Sequence, residues 1–125
     1  MIRLDTDDVL MLYKKMCNAT GGAPGIRDIG TLESAIFHAY ASFEGKDLYP
    51  TIEEKVARQV YGIIRSHPFV DGNKRMGIFV MLVLLELNNI ELKYNQSELV
   101  KLGFYVAEGS AKPQYIEKWI DRHKR

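Results

Sequence analysis

The sequence predicts an all-α protein, a compact bundle of about six helices that carries one small β-hairpin flap. Apolar residues recur at helical spacing along most of the chain, whereas alternating strand-like patterns are scarce. A length of 125 residues suffices to bury one core but not two, and a hydrophobic fraction of 46% is ordinary for a globular protein. No repeat, low-complexity tract or linker is evident, so residues 1–125 are interpreted as a single domain.

The first three predicted helices each combine an apolar face with a start signal. Thr6 is the expected N-cap of the first helix, and the second is expected to follow Thr31. Thr51 and Glu54 have the spacing of a capping box in front of the third. The apolar faces comprise Val9, Leu12, Tyr13 and Met16; then Leu32, Ala35, Ile36, Ala39, Tyr40 and Phe43; then Val56, Val60, Ile63 and Ile64.

The second half of the chain predicts three more helices. Residues from about Arg75 to Leu87 are apolar nearly all round, which predicts a central, buried helix that ends at Asn88 and Asn89. Asn95 and Glu98 again have capping-box spacing. The next faces contain Leu99, Leu102 and Val106, and then Ile116, Trp119 and Ile120, with Pro113 in the first turn of the last helix.

Turn residues concentrate between Gly21 and Gly30, around a few residues that tolerate extended backbone. We interpret this segment as a loop or small hairpin, and it is the predicted flap of the bundle.

Charge and composition narrow the classes of function. A net charge of +1, from 17 basic and 16 acidic side chains, argues against direct binding to nucleic acid or to an anionic membrane. The longest charge-free apolar run, Met76 to Leu85, is too short to span a bilayer. Cys17 alone cannot form an internal disulfide, and the N-terminus shows no secretory signal. These observations predict a cytoplasmic protein.

The segment from His67 to Arg75 lies between two strongly helical segments, and Pro68 and Gly72 indicate that it is a loop. The loop therefore leads directly into the apolar fourth helix. Unpaired N–H groups and the positive end of the helix dipole attract phosphate at such a point, and Gly72 permits close approach of the backbone.

The side chains of this loop are those that phosphoryl transfer requires. Histidine exchanges a proton near neutral pH, so His67 is suited to act as a general base towards a hydroxyl. Asp71 supplies a carboxylate of the kind that Mg²⁺ prefers when it also holds substrate phosphates. Asn73 adds an amide donor, and Lys74 and Arg75 add two cations.

Each of these residues also has an ordinary structural interpretation. Asp-Gly-Asn is a common turn, Lys-Arg pairs are usually solvated, and a single loop histidine is more often structural than catalytic. Spacing alone leaves the two interpretations about equal. Other motifs are weaker, because the chain contains no Walker loop or G-x-G-x-x-G pattern and too few ligands for zinc.

The stretch His67–Arg75 resembles the Fic/Doc signature H-x-F-x-D/E-G-N-G/K-R at every specified position. The matching residues are His67, Phe69, Asp71, Gly72, Asn73, Lys74 and Arg75. The segments Gly25–Asp28, Leu32–Ala35 and Asp47–Thr51 are also typical of Doc-like chains. The resemblance implies one compact helical Fic/Doc domain, with a flap at Ile26, Arg27 and Asp28 that aligns the target segment.

Two positions favour the Doc (death-on-curing) branch of that family. AMP-transferring Fic enzymes usually have glycine at the position of Lys74, and a second arginine where this chain has Ile78. They often carry an inhibitory S/T-x-x-x-E-G/N helix, but neither Glu44-Gly45 nor Glu108-Gly109 fits that pattern. In Doc-like proteins the lysine accompanies an inverted nucleotide and transfer of the γ-phosphate.

The resemblance therefore implies a toxin that uses ATP and Mg²⁺ to phosphorylate a threonine of elongation factor Tu, restrained by a small antitoxin. AMP transfer on the same scaffold, and an idle partner-binding module that only retains the motif, remain the alternatives. Arg65 could reach the same phosphates or only complement the end of its own helix. Arg27 and Asp28 could position the target or pair with each other.

Overall fold

The computed structural model describes residues 1–21 and 24–125. These residues form six α-helices: α1 (Thr6–Thr20), α2 (Ile29–Phe37), α3 (Ile52–Ser66), α4 (Asn73–Leu87), α5 (Gln96–Glu108) and α6 (Pro113–His123). A short 3₁₀ turn (His38–Tyr40) follows α2, and β1 (Ser42–Phe43) pairs antiparallel with β2 (Lys46–Asp47). The predicted all-α bundle with a small hairpin is thus confirmed. Within the described residues, no helix combines the length and apolar content needed to cross a membrane.

Local capping signals account for where most of the helices begin. The capping boxes predicted at Thr51–Glu54 and Asn95–Glu98 are both present, and Pro113 is the first residue of α6. The chain leaves α4 after Leu87, as the two following asparagines predicted.

Two predicted helix starts are wrong by one to three residues. The N-cap of α1 is Asp5 rather than Thr6, because the Asp5 carboxylate accepts from the backbone N–H of Asp8 at 2.8 Å. The Asp8 carboxylate in turn accepts from the backbone N–H of Asp5 at 3.0 Å. α2 begins at Ile29, before Thr31, because Asp28 caps it by accepting from the Thr31 N–H at 3.2 Å. A carboxylate accepts as strong a cap bond as a hydroxyl does, so the upstream aspartates set both starts.

The central helix of the bundle is α3, whereas the sequence predicted that the helix near residues 75–87 would be central. α3 packs against α2, α4, α5 and α6. Its approach to α4 is close at Gly77, where a Cβ atom would lie 2.6 Å from Ile64 Cγ1. α4 buries one face only: Met76, Val80, Met81, Leu84 and Leu85 are buried. Ile78, Phe79, Leu82 and Val83, on its other face, are only half-buried. An all-round apolar helix is therefore explained here by a core on one side and an open groove on the other.

The hairpin lies elsewhere than predicted. β1 and β2 occupy residues 42–47, so Phe43, which the sequence placed on a helical face, belongs to a strand. The two-residue connection Glu44–Gly45 has φ of 51° and 78°, the left-handed pair that a tight hairpin turn requires. Lys55 of α3, although a lysine, is buried because it donates to the Asp47 carboxylate at 3.0 Å and to the Tyr49 carbonyl.

The segment predicted as a loop or hairpin, residues 21–30, forms no hairpin in its described part; residues 22 and 23 lie outside the described residues. Ile26 instead forms an isolated antiparallel bridge with Phe69. The flap thus lies directly beside the His67–Arg75 loop.

Candidate active site

Two left-handed residues redirect the chain between α3 and α4. His67 ends α3 with φ of 51°, and Gly72 precedes α4 with φ of 81°. Proline disfavours right-handed helix at the residue before it, so Pro68 contributes to ending α3 at this point. His67 is exposed, and the loop that follows it turns back on the start of α4.

Asn73 holds the loop in this shape. Its Oδ1 accepts from the Phe69 N–H at 3.0 Å, and its Nδ2 donates to the Phe69 carbonyl at 3.0 Å. Nδ2 also lies 3.4 Å from Nδ1 of His67. The side chain is buried, and both amide groups are occupied by the backbone. The Asn73 side chain is thus engaged in the loop, and its backbone N–H lies at the first position of α4.

Phe69, the motif's aromatic residue, anchors the loop in the core. It is 1% exposed and stacks on the Tyr13 ring, with centroids 3.9 Å apart and planes 10° from parallel. The Tyr13 hydroxyl donates to the Asp71 carbonyl at 3.0 Å. Burial raises the pKa of Tyr13 above its usual range. Sequence reasoning assigned Tyr13 to the core face of α1, and nothing in that pattern signals its bond to the motif.

The start of α4 presents free backbone donors and two cations. Among the described residues, side chains cap α1, α2, α3 and α5, whereas no side chain caps α4 at Gly72 or α6 at Lys112. The first N–H groups of α4 are thus available to an anion. Lys74 and Arg75 are exposed there, and neither takes part in the ion pairs found in the described part of the chain.

Asp71 is placed so that it could be the one protein ligand of a magnesium ion. It is exposed, and its Oδ1 accepts from the Gly72 N–H at 2.8 Å, which fixes the carboxylate while the second oxygen stays free of protein bonds in the described residues. No group of three histidine, cysteine or acidic side chains could form a metal cage within residues 1–21 and 24–125. Mg²⁺ commonly binds through one carboxylate together with substrate phosphates, so one aspartate is a sufficient protein contribution.

Arg65 is in the last turn of α3, but its guanidinium reaches the end of another helix, α5. Its Nη1 donates to the Ala107 carbonyl at 2.7 Å, in the last turn of α5. Its guanidinium also approaches Gly109, where a Cβ would lie 3.6 Å from Nη1. The side chain thus complements the dipole of α5 rather than that of α3, and its reach towards a phosphate stays a prediction.

Arg27 and Asp28 do not pair with each other. The Asp28 carboxylate caps α2 at Thr31, and this hydrogen bond is the main reason that its pKa is held below its usual range. Arg27 donates from Nε to the His67 carbonyl at 2.6 Å and from Nη2 to the Ser66 carbonyl at 2.7 Å. The flap residue next to them, Ile26, is exposed beside the loop.

A groove of about 860 Å³ leads away from Lys74 and Arg75. We call it the α4–α5 groove. Its apolar walls include Ile78, Leu82, Leu99 and Phe104. Lys15 of α1 lines it together with the two motif cations. The groove is therefore apolar along its length and basic beside the candidate active site.

Comparisons with known proteins agree with the motif. The profile of the Fic/DOC family matches residues 3–85, a range that contains the whole His67–Arg75 segment. The chain is 35% identical over 89 residues to "Toxin Doc" of Mycolicibacterium smegmatis, an alignment that covers 71% of this chain and 66% of that protein. It is 26% identical over 109 residues to "Protein kinase doc" of Escherichia phage P1, which covers 87% of this chain and 85% of that protein.

Proposed function

The chain belongs to the Fic/DOC family, and we propose that it is a toxin kinase that transfers the γ-phosphate of ATP to a hydroxyl group of a target protein. The names of its two relatives, a toxin and a protein kinase, support this assignment. The proposed target hydroxyl is a threonine of elongation factor Tu, whose modification would block translation.

One contact carries the proposal. Asn73, the first residue of α4, lies 3.4 Å from the His67 imidazole, so the candidate base adjoins an uncapped helix start, and such starts attract phosphate. Proton transfer requires that the base reach the attacking hydroxyl while the reacting phosphate is held in line. The turn between α3 and α4 supports both conditions within one short loop.

The proposed transfer divides the work among the loop residues. The imidazole of His67 accepts the proton as the target oxygen forms a bond to the γ-phosphorus. The bond from that phosphorus to the bridging oxygen breaks, and ADP leaves. The N–H groups of α4, with Lys74 and Arg75, offset the negative charge on the transferring group. Asp71 would hold Mg²⁺, which when bound neutralises charge on the phosphates and links them to the protein.

Lys74 favours γ-phosphate transfer over AMP transfer. It lies in the second position of α4, so its ammonium adds charge and bulk at the helix start where a glycine would leave space. Ile78, one turn further on, lines the α4–α5 groove and supplies no second cation there. The start of α4 therefore lacks the groups that, in AMP-transferring relatives, accompany deep binding of the α- and β-phosphates.

We further propose that a cognate antitoxin occupies the α4–α5 groove through an amphipathic helix with acidic residues. The groove's apolar walls suit a helix face, and Lys15, Lys74 and Arg75 are complementary to carboxylates. Such a helix would cover the phosphate-binding cations and inhibit transfer directly. A purified partner should lose affinity for Phe104→Glu, in the groove, but retain it for Phe43→Glu, an equally drastic change on the exposed hairpin. Equal affinity for both variants would refute the placement.

Radiolabel position tests the reaction. Incubation of the protein and Mg²⁺ with bacterial lysate should transfer label from γ-labelled ATP to one protein band, and none from α-labelled ATP. Label from α-labelled ATP would establish AMP transfer instead. Transfer of neither label, in a lysate where a known kinase is active, would favour an idle partner-binding module.

A further inference from the structure

The guanidinium of Arg27 binds the carboxyl-terminal end of α3 across 39 residues of sequence. The last carbonyl groups of a helix have no partners within it, and they form the negative end of its dipole. Two nitrogens of Arg27 donate to two successive carbonyls, those of Ser66 and His67, at 2.7 and 2.6 Å. The planar guanidinium is suited to this paired contact, which a lysine could not reproduce.

Backbone bonds extend the same attachment along the loop. The N–H groups of Arg27 and Asp28 both donate to the Pro68 carbonyl, at 2.8 and 3.1 Å. The Val70 N–H donates to the Gly25 carbonyl at 3.0 Å. The flap and the Asn73 side chain therefore each bond to this stretch, and between them they contact the backbone of every residue from Ser66 to Val70.

His67 depends on this attachment because its own backbone is strained. A φ of 51° places it in the left-handed region, which is unfavourable for a residue with a Cβ. Neighbouring structure must enforce such a conformation for it to persist. The Arg27 bonds to the carbonyls of Ser66 and His67 flank the strained residue directly.

We propose that Arg27 is a positioning residue that sets the orientation of His67, and that it thereby couples the position of the flap to the readiness of the base. It neither pairs with Asp28, whose carboxylate caps α2, nor offers Nε or Nη2 to a target. A target that docks on the flap would act on His67 through this arginine. The inference rests on the proposed function, in which His67 is the general base.

The test compares Arg27→Lys with Arg58→Lys. Arg58 is an arginine of α3 itself, and its guanidinium lies over the Tyr49 ring at 4.5 Å. Arg27→Lys keeps the charge and loses the paired geometry, so kcat for label transfer should fall roughly 10–100-fold, the effect of a small misplacement of a catalytic group. KM for the target should change little. Arg58→Lys should retain wild-type kcat.

Hydrogen exchange supplies a readout that does not depend on activity. In Arg27→Lys, but not in Arg58→Lys, the amide protons of Phe69 and Val70 should exchange faster while those of α5 are unchanged. A raised KM with an unchanged kcat would overturn the proposal, since Arg27 would then be a target contact. Unchanged exchange at Phe69 and Val70 would also overturn it. If the wild-type protein transfers neither label, the proposed reaction fails, and the exchange comparison still decides whether Arg27 holds the loop.

Discussion

The hydroxyl group of Tyr13 donates a 3.0 Å hydrogen bond to the backbone carbonyl of Asp71, and thus ties α1 to the loop that precedes α4. The same ring stacks on Phe69, so one side chain supports the motif by two different contacts. Asp71 is the proposed magnesium ligand, and the placement of its backbone determines where its carboxylate can reach. α1 therefore supports the loop of the candidate active site, although it contributes no motif residue.

We expect Tyr13→Phe to weaken this support while keeping the ring stack. Loss of one hydrogen bond to a partly buried carbonyl should lower the free energy of unfolding by about 1 kcal/mol, and Mg²⁺-dependent ATP binding should weaken. Urea denaturation and calorimetry measure the two effects. Tyr115→Phe, a change on an exposed ring of α6, should alter neither. If Tyr13→Phe matches the wild type in both assays, the hydroxyl bond has no supporting role.

Replacement of His67 by alanine should abolish transfer and leave the fold intact. A general base contributes roughly 10²–10⁴ in rate, and an exposed loop residue leaves no core cavity when truncated. Because φ is 51° at this position, His67→Asn is a useful companion, since asparagine tolerates the left-handed region better than most residues. Circular dichroism should show native helix content in both. Near wild-type transfer by either variant would disprove the assigned base.

Asp71→Asn should separate the metal role from a turn role. The asparagine side chain retains an oxygen that can accept from the Gly72 N–H, so the melting temperature should change little. Loss of the carboxylate should strongly weaken ATP binding in the presence of Mg²⁺ but not in its absence. Calorimetry with and without Mg²⁺ measures the difference. A large drop in melting temperature with unchanged Mg²⁺ dependence would instead assign Asp71 to the turn.

Gly72→Ala should lower transfer activity by more than its backbone strain explains. Gly45→Ala is the matched control. Both glycines have positive φ, 81° and 78°, so alanine should cost each variant about 1–2 kcal/mol of stability. A Cβ at Gly72 would stand beside the start of α4, where phosphate is proposed to approach the backbone, and its 2.9 Å contact is with the flexible end of Met16. A Cβ at Gly45 meets nothing within 4 Å. Transfer should therefore fall only in Gly72→Ala. Equal activity in the two variants, at similar stability, would contradict a need for close approach of the backbone at Gly72.

Lys74→Gly tests the reaction type. Loss of the ammonium should cripple γ-phosphate transfer, because its charge no longer offsets that of the transferring group. The variant should gain at most a slow AMP-transfer activity, since Ile78 supplies no second cation. Lys74→Gln, which keeps helix propensity, should lose γ-phosphate transfer too. Mass spectrometry of the target distinguishes the two adducts. An AMP adduct made by the wild-type protein, without any phosphorylated product, would overturn the kinase assignment.

The sequence by itself determined the helices, most of their ends and the chemical groups of the candidate site. Apolar periodicity and the capping pairs Thr51–Glu54 and Asn95–Glu98 act within four residues of each other, so they are legible without a fold. The motif from His67 to Arg75 is contiguous in the sequence, so it too can be recognised without knowledge of the fold. Even the errors at Asp5 and Asp28 were displacements of one to three residues among competing local caps.

Only the tertiary structure decided what surrounds these groups. From the sequence, Arg65 could reach the phosphates or complement the end of its own helix, and the folded chain instead brings its guanidinium to Ala107 of α5, 42 residues away. Arg27 and Tyr13 reach the loop across 40 and 58 residues, respectively. Packing likewise decided that the amphipathic α3 is central, whereas the mostly apolar α4 has a core on one side and an open groove on the other. A hydrogen bond between residues distant in sequence forms only where packing brings donor and acceptor together. No local sequence pattern encodes which helix ends will meet, so these contacts could not be predicted from the sequence.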